Sequence, residues 1–152
     1  MTARIDGLLA AARRGLDRVH PADLAFEVSR GALVVDTRPL EQRARDGQLP
    51  GAVILDRNVL EWRLDPTSPH RIAEMTDPRR RVILVCSEGY GSSLAAATLQ
   101  MLGLHRATDL VGGFQAWQRF LDADNGASHR IGSDRRTASF MGYWRSGRAA
   151  QG

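Results

Sequence analysis

Short apolar runs alternate with amphipathic segments along the first 121 residues, and this alternation restricts the fold more than any other feature of the chain. Four segments have the length of buried strands: the apolar runs 32–35, 52–55 and 82–85, and the segment 108–111. Six further segments show helical spacing of apolar residues: 6–18, 22–29, 39–45, 59–64, 92–102 and 114–121. Strands separated by helices predict parallel βαβ units. We therefore expect an α/β fold with a central, mostly parallel sheet flanked by helices on both faces.

Length and residue usage fit one domain without covalent cross-links. The 152-residue chain can bury roughly two thirds of its unfolded surface in one core. One cysteine excludes an internal disulfide, and no cysteine or histidine cluster has zinc-site spacing, so we predict no metal and no other cofactor. The N-terminal apolar patch 8–12 is too short and too closely flanked by charge for a signal peptide or a membrane span. These features predict a cytoplasmic protein that does not bind membranes.

The net charge of +4 comes from the end of the chain. Residues 1–124 carry 16 arginines and 16 acids, whereas residues 125–152 carry five arginines and one acid. A solvated basic tail is the simplest interpretation, and contact with RNA, an acidic partner or the domain itself is the alternative. We do not expect nucleic acid as the partner. The tail also holds four large apolar residues: Phe140, Met141, Tyr143 and Trp144. They suggest packing on the domain or across a homodimer.

The only cysteine follows the strongest predicted strand and opens a loop. Cys86 ends the run 82–85 and is followed by six loop residues: Ser87, Glu88, Gly89, Tyr90, Gly91 and Ser92. A thiol between a strand and a helix start lies where backbone N–H groups and the helix dipole stabilise a thiolate and bind anions. A free cysteine is often a small buried hydrophobic residue, but a packing cysteine is expected inside the apolar run. We therefore predict that Cys86 is a nucleophile at the carboxyl end of a strand, where α/β sheets bind ligands.

Four separated motifs resemble those of the rhodanese-like domain family, whose members are persulfide-forming sulfurtransferases. Residues 34–38 (Val-Val-Asp-Thr-Arg) resemble its strand ending in Asp-x-Arg, and residues 47–52 (Gly-Gln-Leu-Pro-Gly-Ala) resemble its Gly-His-Ile-Pro-Gly-Ala turn. Residues 86–92 resemble its active-site loop, and residues 112–117 (Gly-Gly-Phe-Gln-Ala-Trp) resemble its Gly-Gly-hydrophobic-x-x-Trp segment. All four stand in the family's order and at its usual spacing.

The resemblance covers about residues 16–121 and suggests a division of the chain into three parts. We predict an N-terminal helical extension over residues 1–15, a rhodanese-like domain over residues 16–124 and a basic C-terminal tail over residues 125–152.

The resemblance implies a ping-pong transfer of sulfane sulfur. The Cys86 thiolate would attack the outer sulfur of a small anionic donor such as thiosulfate, hold it as a persulfide and pass it to a thiol, cyanide or thioredoxin-like acceptor. Backbone N–H groups of residues 87–92, curled around the sulfur, would supply positive character without a metal. The alternative is a catalytically silent rhodanese module used for protein binding or regulation. The retained cysteine favours the enzyme, because a silent module has no chemical need of a thiol.

The loop differs from a common family pattern at the fifth residue after the cysteine, which is Gly91 and not arginine. This difference weakens the case for efficient thiosulfate use, because no loop cation remains for the sulfonate. Glu88 would repel an anionic donor or turn outward to select an acceptor, and Tyr90 would line the pocket mouth or pack on the surface. Phosphatases of this fold need Cys-x5-Arg. Since the sixth residue is Ser92, we do not expect phosphatase chemistry.

Asp36 and Arg38 are predicted to support the site and not to perform the chemistry. The resemblance places them at a strand end near the active-site loop, where a charged pair braces neighbouring turns. The alternative role for Arg38 is to hold the anionic donor. Trp117 is predicted to lie in the core.

Overall fold

The computed structural model of the chain describes residues 2–128. The part of the predicted tail after residue 128, with its proposed homodimer contact, lies outside the described residues. The strands are β1 (Leu33–Asp36), β2 (Val53–Ile54), β3 (Val82–Val85) and β4 (Ala107–Asp109). The helices are α1 (Arg4–Arg14), α2 (Leu24–Ser29), α3 (Leu40–Asp46), α4 (Leu60–Leu64), α5 (Gly91–Met101) and α6 (Gly113–Ser128). Two short 3-10 helices, Pro21–Asp23 and Arg57–Val59, precede α2 and α4.

The described strands form one four-stranded sheet in the order β2-β1-β3-β4, and every pairing is parallel. Strand β3, which leads to Cys86, therefore lies in the interior of the sheet. In the register of the pairs, Asp36 lies opposite Val85, and Asp109 lies opposite Leu84. The ends of β1, β3 and β4 thus meet at one edge of the sheet. The predicted α/β fold is confirmed.

Hydrophobic clusters cover both faces of the sheet, which explains why β3 is apolar throughout and β1 is apolar up to its last residue, Asp36. On one face Val35 and Leu84 pack with residues of α4 and α5 such as Leu64 and Leu99. On the other face Ile83, Val34 and Val85 pack with Leu24 of α2 and with Phe114 and Trp117 of α6. Because successive side chains of a strand point to opposite faces, a strand between two helical layers needs apolar residues at every position. Trp117 is 4% exposed, as predicted for a core residue.

Element ends differ from the sequence prediction at both sides of the domain. The predicted helix 6–18 ends already at Arg14. After Gly15 the chain runs to Val19, which forms a parallel bridge with Leu110 beside β4. Residues 15–18, which helical periodicity assigned to the helix, therefore lead to the edge of the sheet. The predicted helix 114–121 continues to Ser128. No proline interrupts residues 122–128, so helical hydrogen bonding continues past the last core residue. The predicted domain boundary after residue 124 falls inside α6.

The remaining elements agree with the prediction to within about two residues, which is the usual uncertainty of element ends. Among residues 2–128, none of the helices has the length and apolar content needed to span a lipid bilayer.

Candidate active site

Cys86 directly follows β3 and lies below the N-terminus of the 11-residue helix α5. Its side chain is half-buried, so the thiol is neither enclosed in the core nor fully exposed. The Gly89 N–H donates a hydrogen bond to Cys86 Sγ at 3.2 Å. The thiol in turn donates to Ser92 Oγ at 3.2 Å. The loop therefore bends back over the sulfur atom that the sequence identified as the nucleophile.

Gly89 is the residue that makes this bend sterically feasible. Its φ angle is +82°, in the left-handed region that favours glycine. A Cβ atom built there would lie 2.7 Å from the backbone N of Gly112 and 3.0 Å from that of Gly113. The Gly-Gly motif before α6 is thus packed directly against the loop, and the two motifs are brought together only by the fold.

A cavity of about 410 Å³ opens in front of the sulfur. Five of its lining residues come from the predicted loop: Cys86, Ser87, Glu88, Tyr90 and Gly91. The other two, Gln42 and Arg45, come from α3. Tyr90 lines the mouth and is 58% exposed, while Gly89 and Ser92 are buried behind the cavity. Within residues 2–128, the amides of Ser87, Glu88 and Tyr90 donate no hydrogen bond to another residue.

Arg45 places a positive charge at the cavity that sequence reasoning missed. Its guanidinium donates two hydrogen bonds of 2.9 Å to the Asp46 carboxylate. The hydrogen bond from Arg45 is also the main reason why the pKa of Asp46 lies below its ordinary value. Gln115 of α6 donates to Asp46 at 3.0 Å and contacts Ser87 Oγ at 3.4 Å. Arg45 is one of two arginines in α3 and belongs to no motif, so only the packing of α3 against the loop could identify it.

Asp36 and Arg38 form a buried ion pair, with side-chain exposures of 1% and 0%. Arg38 Nη2 donates to Asp36 Oδ2 at 2.8 Å and to the Gly47 carbonyl at 2.9 Å. The Arg38 guanidinium also lies 3.7 Å from the centroid of the Phe114 ring. Arg38 does not line the cavity in front of Cys86. The geometry therefore favours the supporting role, in which the pair joins the end of β1 to the turn after α3 and to α6.

Behind the loop, three charged residues outside the predicted site complete a buried network. Asp109, at the end of β4, is 0% exposed and pairs with Arg18, whose Nε lies 2.8 Å from Asp109 Oδ1. Ser92 and Ser93 each donate to Asp109 Oδ2 at 2.7 Å. Arg13 of α1 donates to the Gly89 carbonyl at 2.7 Å. A signal for Asp109 was present, since an acid in a buried strand needs a partner, but nothing in the sequence pattern named that partner.

The fold and the cysteine-led loop define a class of α/β proteins with a cysteine between a central parallel strand and a helix. Residues 20–120 match the Rhodanese-like domain. The chain belongs to the rhodanese-like domain family, as the motifs indicated. No curated protein matches the sequence.

Solved structures share this fold. A Rhodopseudomonas palustris protein of unknown function, described as a possible tyrosine phosphatase, is 30% identical with a TM-score of 0.69, over 78% of this chain and 92% of that one. Human TSTD1, a single-domain sulfurtransferase, is 24% identical with a TM-score of 0.58, over 67% of this chain and 95% of that one. A thiosulfate sulfurtransferase from Pseudomonas aeruginosa is 24% identical with a TM-score of 0.54, over 68% of this chain and 18% of that one. The last two likenesses concern the fold alone.

Proposed function

We propose that this protein is a sulfurtransferase that carries sulfane sulfur as a persulfide on Cys86. The observation that carries the proposal is the half-buried sulfur at the base of an open cavity, with the Gly89 N–H directed at it. The thiolate is the nucleophilic form of cysteine, and amide donors at a helix start stabilise it. The family membership supports this chemistry.

In the proposed reaction, the Cys86 thiolate attacks the outer sulfur of thiosulfate. The new S–S bond forms as the bond between the two thiosulfate sulfur atoms breaks, and sulfite leaves with the bonding electron pair. An acceptor nucleophile, such as cyanide, a small thiol or a thioredoxin-like thiol, then attacks the outer sulfur of the persulfide. The Cys86 thiolate leaves with the electron pair and is regenerated, so no net oxidant or reductant is consumed.

The cavity offers an anionic donor two kinds of positive site. The amides of Ser87, Glu88 and Tyr90 have no hydrogen-bond acceptor within residues 2–128, and Arg45 lines the cavity from α3. Arg45 thereby supplies the cation that Gly91 does not, so we infer that the donor's sulfonate is directed toward α3. Glu88 lines the same cavity and adds one negative charge. Because Arg45 also pairs with Asp46 through two hydrogen bonds of 2.9 Å, the side-chain charges do not by themselves balance a dianionic donor, and we infer that the loop amides supply the remaining positive character.

Phosphatase chemistry is the alternative raised by the Rhodopseudomonas palustris protein. It needs an arginine fork at the sixth residue after the cysteine to clamp phosphate oxygens. Here that residue is Ser92, whose hydroxyl is occupied by Cys86 and Asp109. We therefore propose sulfur transfer and not phosphate hydrolysis. A free catalytic thiol is kept reduced most readily in the cytoplasm, where we propose that the protein acts.

Mass spectrometry after treatment with thiosulfate tests the proposal. The expected result is a gain of one sulfur atom on Cys86 that cyanide removes as thiocyanate, and no gain in Cys86→Ser. Glutathione persulfide serves as a second donor, and p-nitrophenyl phosphate tests the phosphatase alternative. If neither donor leaves sulfur on Cys86, the silent binding module becomes the better interpretation. Hydrolysis of the phosphate ester that depends on Cys86 would favour the phosphatase.

A further inference from the structure

The active-site sulfur is connected to charged residues that lie before residue 20, where the family match begins. Cys86 contacts Ser92, Ser92 contacts Asp109, and Asp109 pairs with Arg18. Both contacts of Ser92 involve its one Oγ atom, so Cys86 Sγ and Asp109 Oδ2 lie within about 6 Å, a distance at which charges inside a protein interact strongly. A thiolate at Cys86 therefore lies close to a carboxylate, with the Ser92 hydroxyl in contact with both groups.

Arg18 balances the carboxylate charge. Its Nε lies 2.8 Å from Asp109 Oδ1 and its Nη2 lies 3.1 Å from Oδ2, a two-point pairing of guanidinium and carboxylate. Asp109 is 0% exposed and Arg18 is 17% exposed at the side chain. Without Arg18, Asp109 would be a buried anion beside the nucleophile, and like charges disfavour each other's ionised form.

The hydrogen-bond arrangement also allows the Ser92 hydroxyl to rotate when Cys86 changes from thiol to thiolate. Asp109 Oδ2 accepts from Ser92, from Ser93 and from Arg18. Ser93 and Arg18 alone satisfy this oxygen when the Ser92 hydroxyl rotates. A hydroxyl both donates and accepts. Ser92 can therefore accept from the Cys86 thiol and donate to the thiolate or persulfide without leaving Asp109 unpaired.

Arg13 and Arg18 together hold the amide that contacts the sulfur. Arg13 Nη2 donates to the Gly89 carbonyl at 2.7 Å, and Arg18 Nη2 donates to it at 3.1 Å. Gly89 in turn donates its N–H to Cys86 Sγ. Arg18 is itself positioned by the adjacent Val19, which pairs through its backbone with Asp109 and Val111 at the sheet edge. The segment before the family match is thus anchored on the sheet and on the loop.

We propose that Arg18, assisted by Arg13, is a positioning residue that keeps Cys86 ionisable beside Asp109, so that the chain before residue 20 is part of the active site. The inference rests on the proposed function only in taking Cys86 as the reacting group. The other charged or titratable side chains that face Cys86 or its loop are Glu88 and Tyr90 of the loop, and Arg45 and Asp46 of α3. They are the same in all the variants below and do not reverse the sign of a change made at Arg18 or Asp109.

The test is the pH dependence of Cys86 alkylation by iodoacetamide, which reads the thiolate directly. Cys86 is the only cysteine in the chain, so every alkylation event reports on it. We expect Arg18→Gln to move the midpoint of the profile upward by about one to two pH units, which is about ten- to a hundredfold less thiolate below the midpoint. Asp109→Asn should move the midpoint downward, and the double variant Arg18→Gln/Asp109→Asn should return it close to the unsubstituted protein.

The opposite signs separate electrostatic positioning from structural damage, because a loosened loop would not give a downward shift in one variant and recovery in the double variant. Arg14→Gln is the matched control, because Arg14 is an exposed arginine in α1 four residues before Arg18, and it should leave the midpoint unchanged. An unshifted Arg18→Gln, or an upward shift in Asp109→Asn, overturns the proposal. If Arg18→Gln does not fold, Asp109→Asn and the double variant decide the question by the same signs. Absence of sulfur transfer by the unsubstituted protein, together with the expected alkylation shifts in the variants, would contradict the proposed function and leave this inference standing.

Discussion

Replacing Gly89 with alanine adds a single methyl group at the point where the loop contacts the Gly-Gly motif. The φ angle of +82° is unfavourable for a residue with a Cβ atom, at a cost of about 1–2 kcal/mol. The new Cβ would also lie 2.7 Å from Gly112 N and 3.1 Å from Gly112 Cα, both backbone atoms. Relieving such overpacking costs typically about 1–3 kcal/mol, because the backbone has to shift. We therefore expect Gly89→Ala to lower the free energy of unfolding by about 2–5 kcal/mol.

Gly91→Ala provides a control in the same loop. A Cβ at Gly91 has no heavy atom within 4 Å, and the residue is the first of α5. Alanine there should stabilise the protein slightly, by about 0.4–1 kcal/mol, because it reduces the freedom of the unfolded chain.

Urea denaturation at neutral pH, followed by circular dichroism, measures both variants against the unsubstituted protein. A loss of about 2–5 kcal/mol corresponds to a melting temperature lower by about 5–20 °C in a domain of this size. Any displacement of the Gly89 N–H should also slow alkylation of Cys86 in the folded variant. Equal unfolding free energies for Gly89→Ala and Gly91→Ala, to within about 0.5 kcal/mol, would refute the steric argument.

Three further outcomes follow from the charged residues around the site. Asp36→Ala should lower the free energy of unfolding, measured in urea, by about 3–5 kcal/mol, because Arg38 is left buried and unpaired. Asp77→Ala is the control: it breaks an exposed pair with Arg79 and should have no measurable effect. Asp46 has a pKa below the ordinary 3.8 in the folded protein, mainly through its hydrogen bond from Arg45. Its stabilising contribution is therefore present above pH 3.8 and is lost as the pH falls through the lower folded value, so the stability difference between the unsubstituted protein and Asp46→Asn should vanish in acid. Arg45→Ala should raise KM for thiosulfate several-fold at low salt with kcat unchanged, and the difference should shrink as salt screens the charge; an equal increase in Arg79→Ala, which is far more exposed and outside the cavity, would contradict a specific role.

Much of the fold could be predicted because the periodicity of the chain agrees with it. Apolar runs such as 82–85 have no polar position, and only a strand buried on both faces requires that pattern. The end of α1 could not be predicted in the same way. Residues 15–18 fit a helix as well as an extended segment, and the pairing of Val19 with Leu110, far away in the sequence, decides between them.

In the candidate site, too, local features could be predicted from the sequence and long-range contacts could not. Cys86 and its loop are contiguous in the sequence, so their composition and their position after a strand identified them. Arg45 lies 41 positions before Cys86 in the sequence, and Arg18 lies 91 positions before Asp109. The chain has 21 basic residues, and nothing in the sequence around one arginine indicates which acid it pairs with. Contacts of this kind follow from the order of the strands and not from local pattern.

By itself the sequence determined the class of the fold and the family and singled out Cys86 as the candidate nucleophile, because those depend on periodicity and on contiguous motifs. Only the tertiary structure decided which charges act on that nucleophile. The parallel sheet brings the ends of β3 and β4 to one edge, and the loop that begins with Cys86 bends back over it. At that edge, Asp109 approaches the sulfur through Ser92 and needs Arg18 to balance its charge. Electrostatic interactions depend on the distance in space between charges, and the order of residues along the chain does not give that distance.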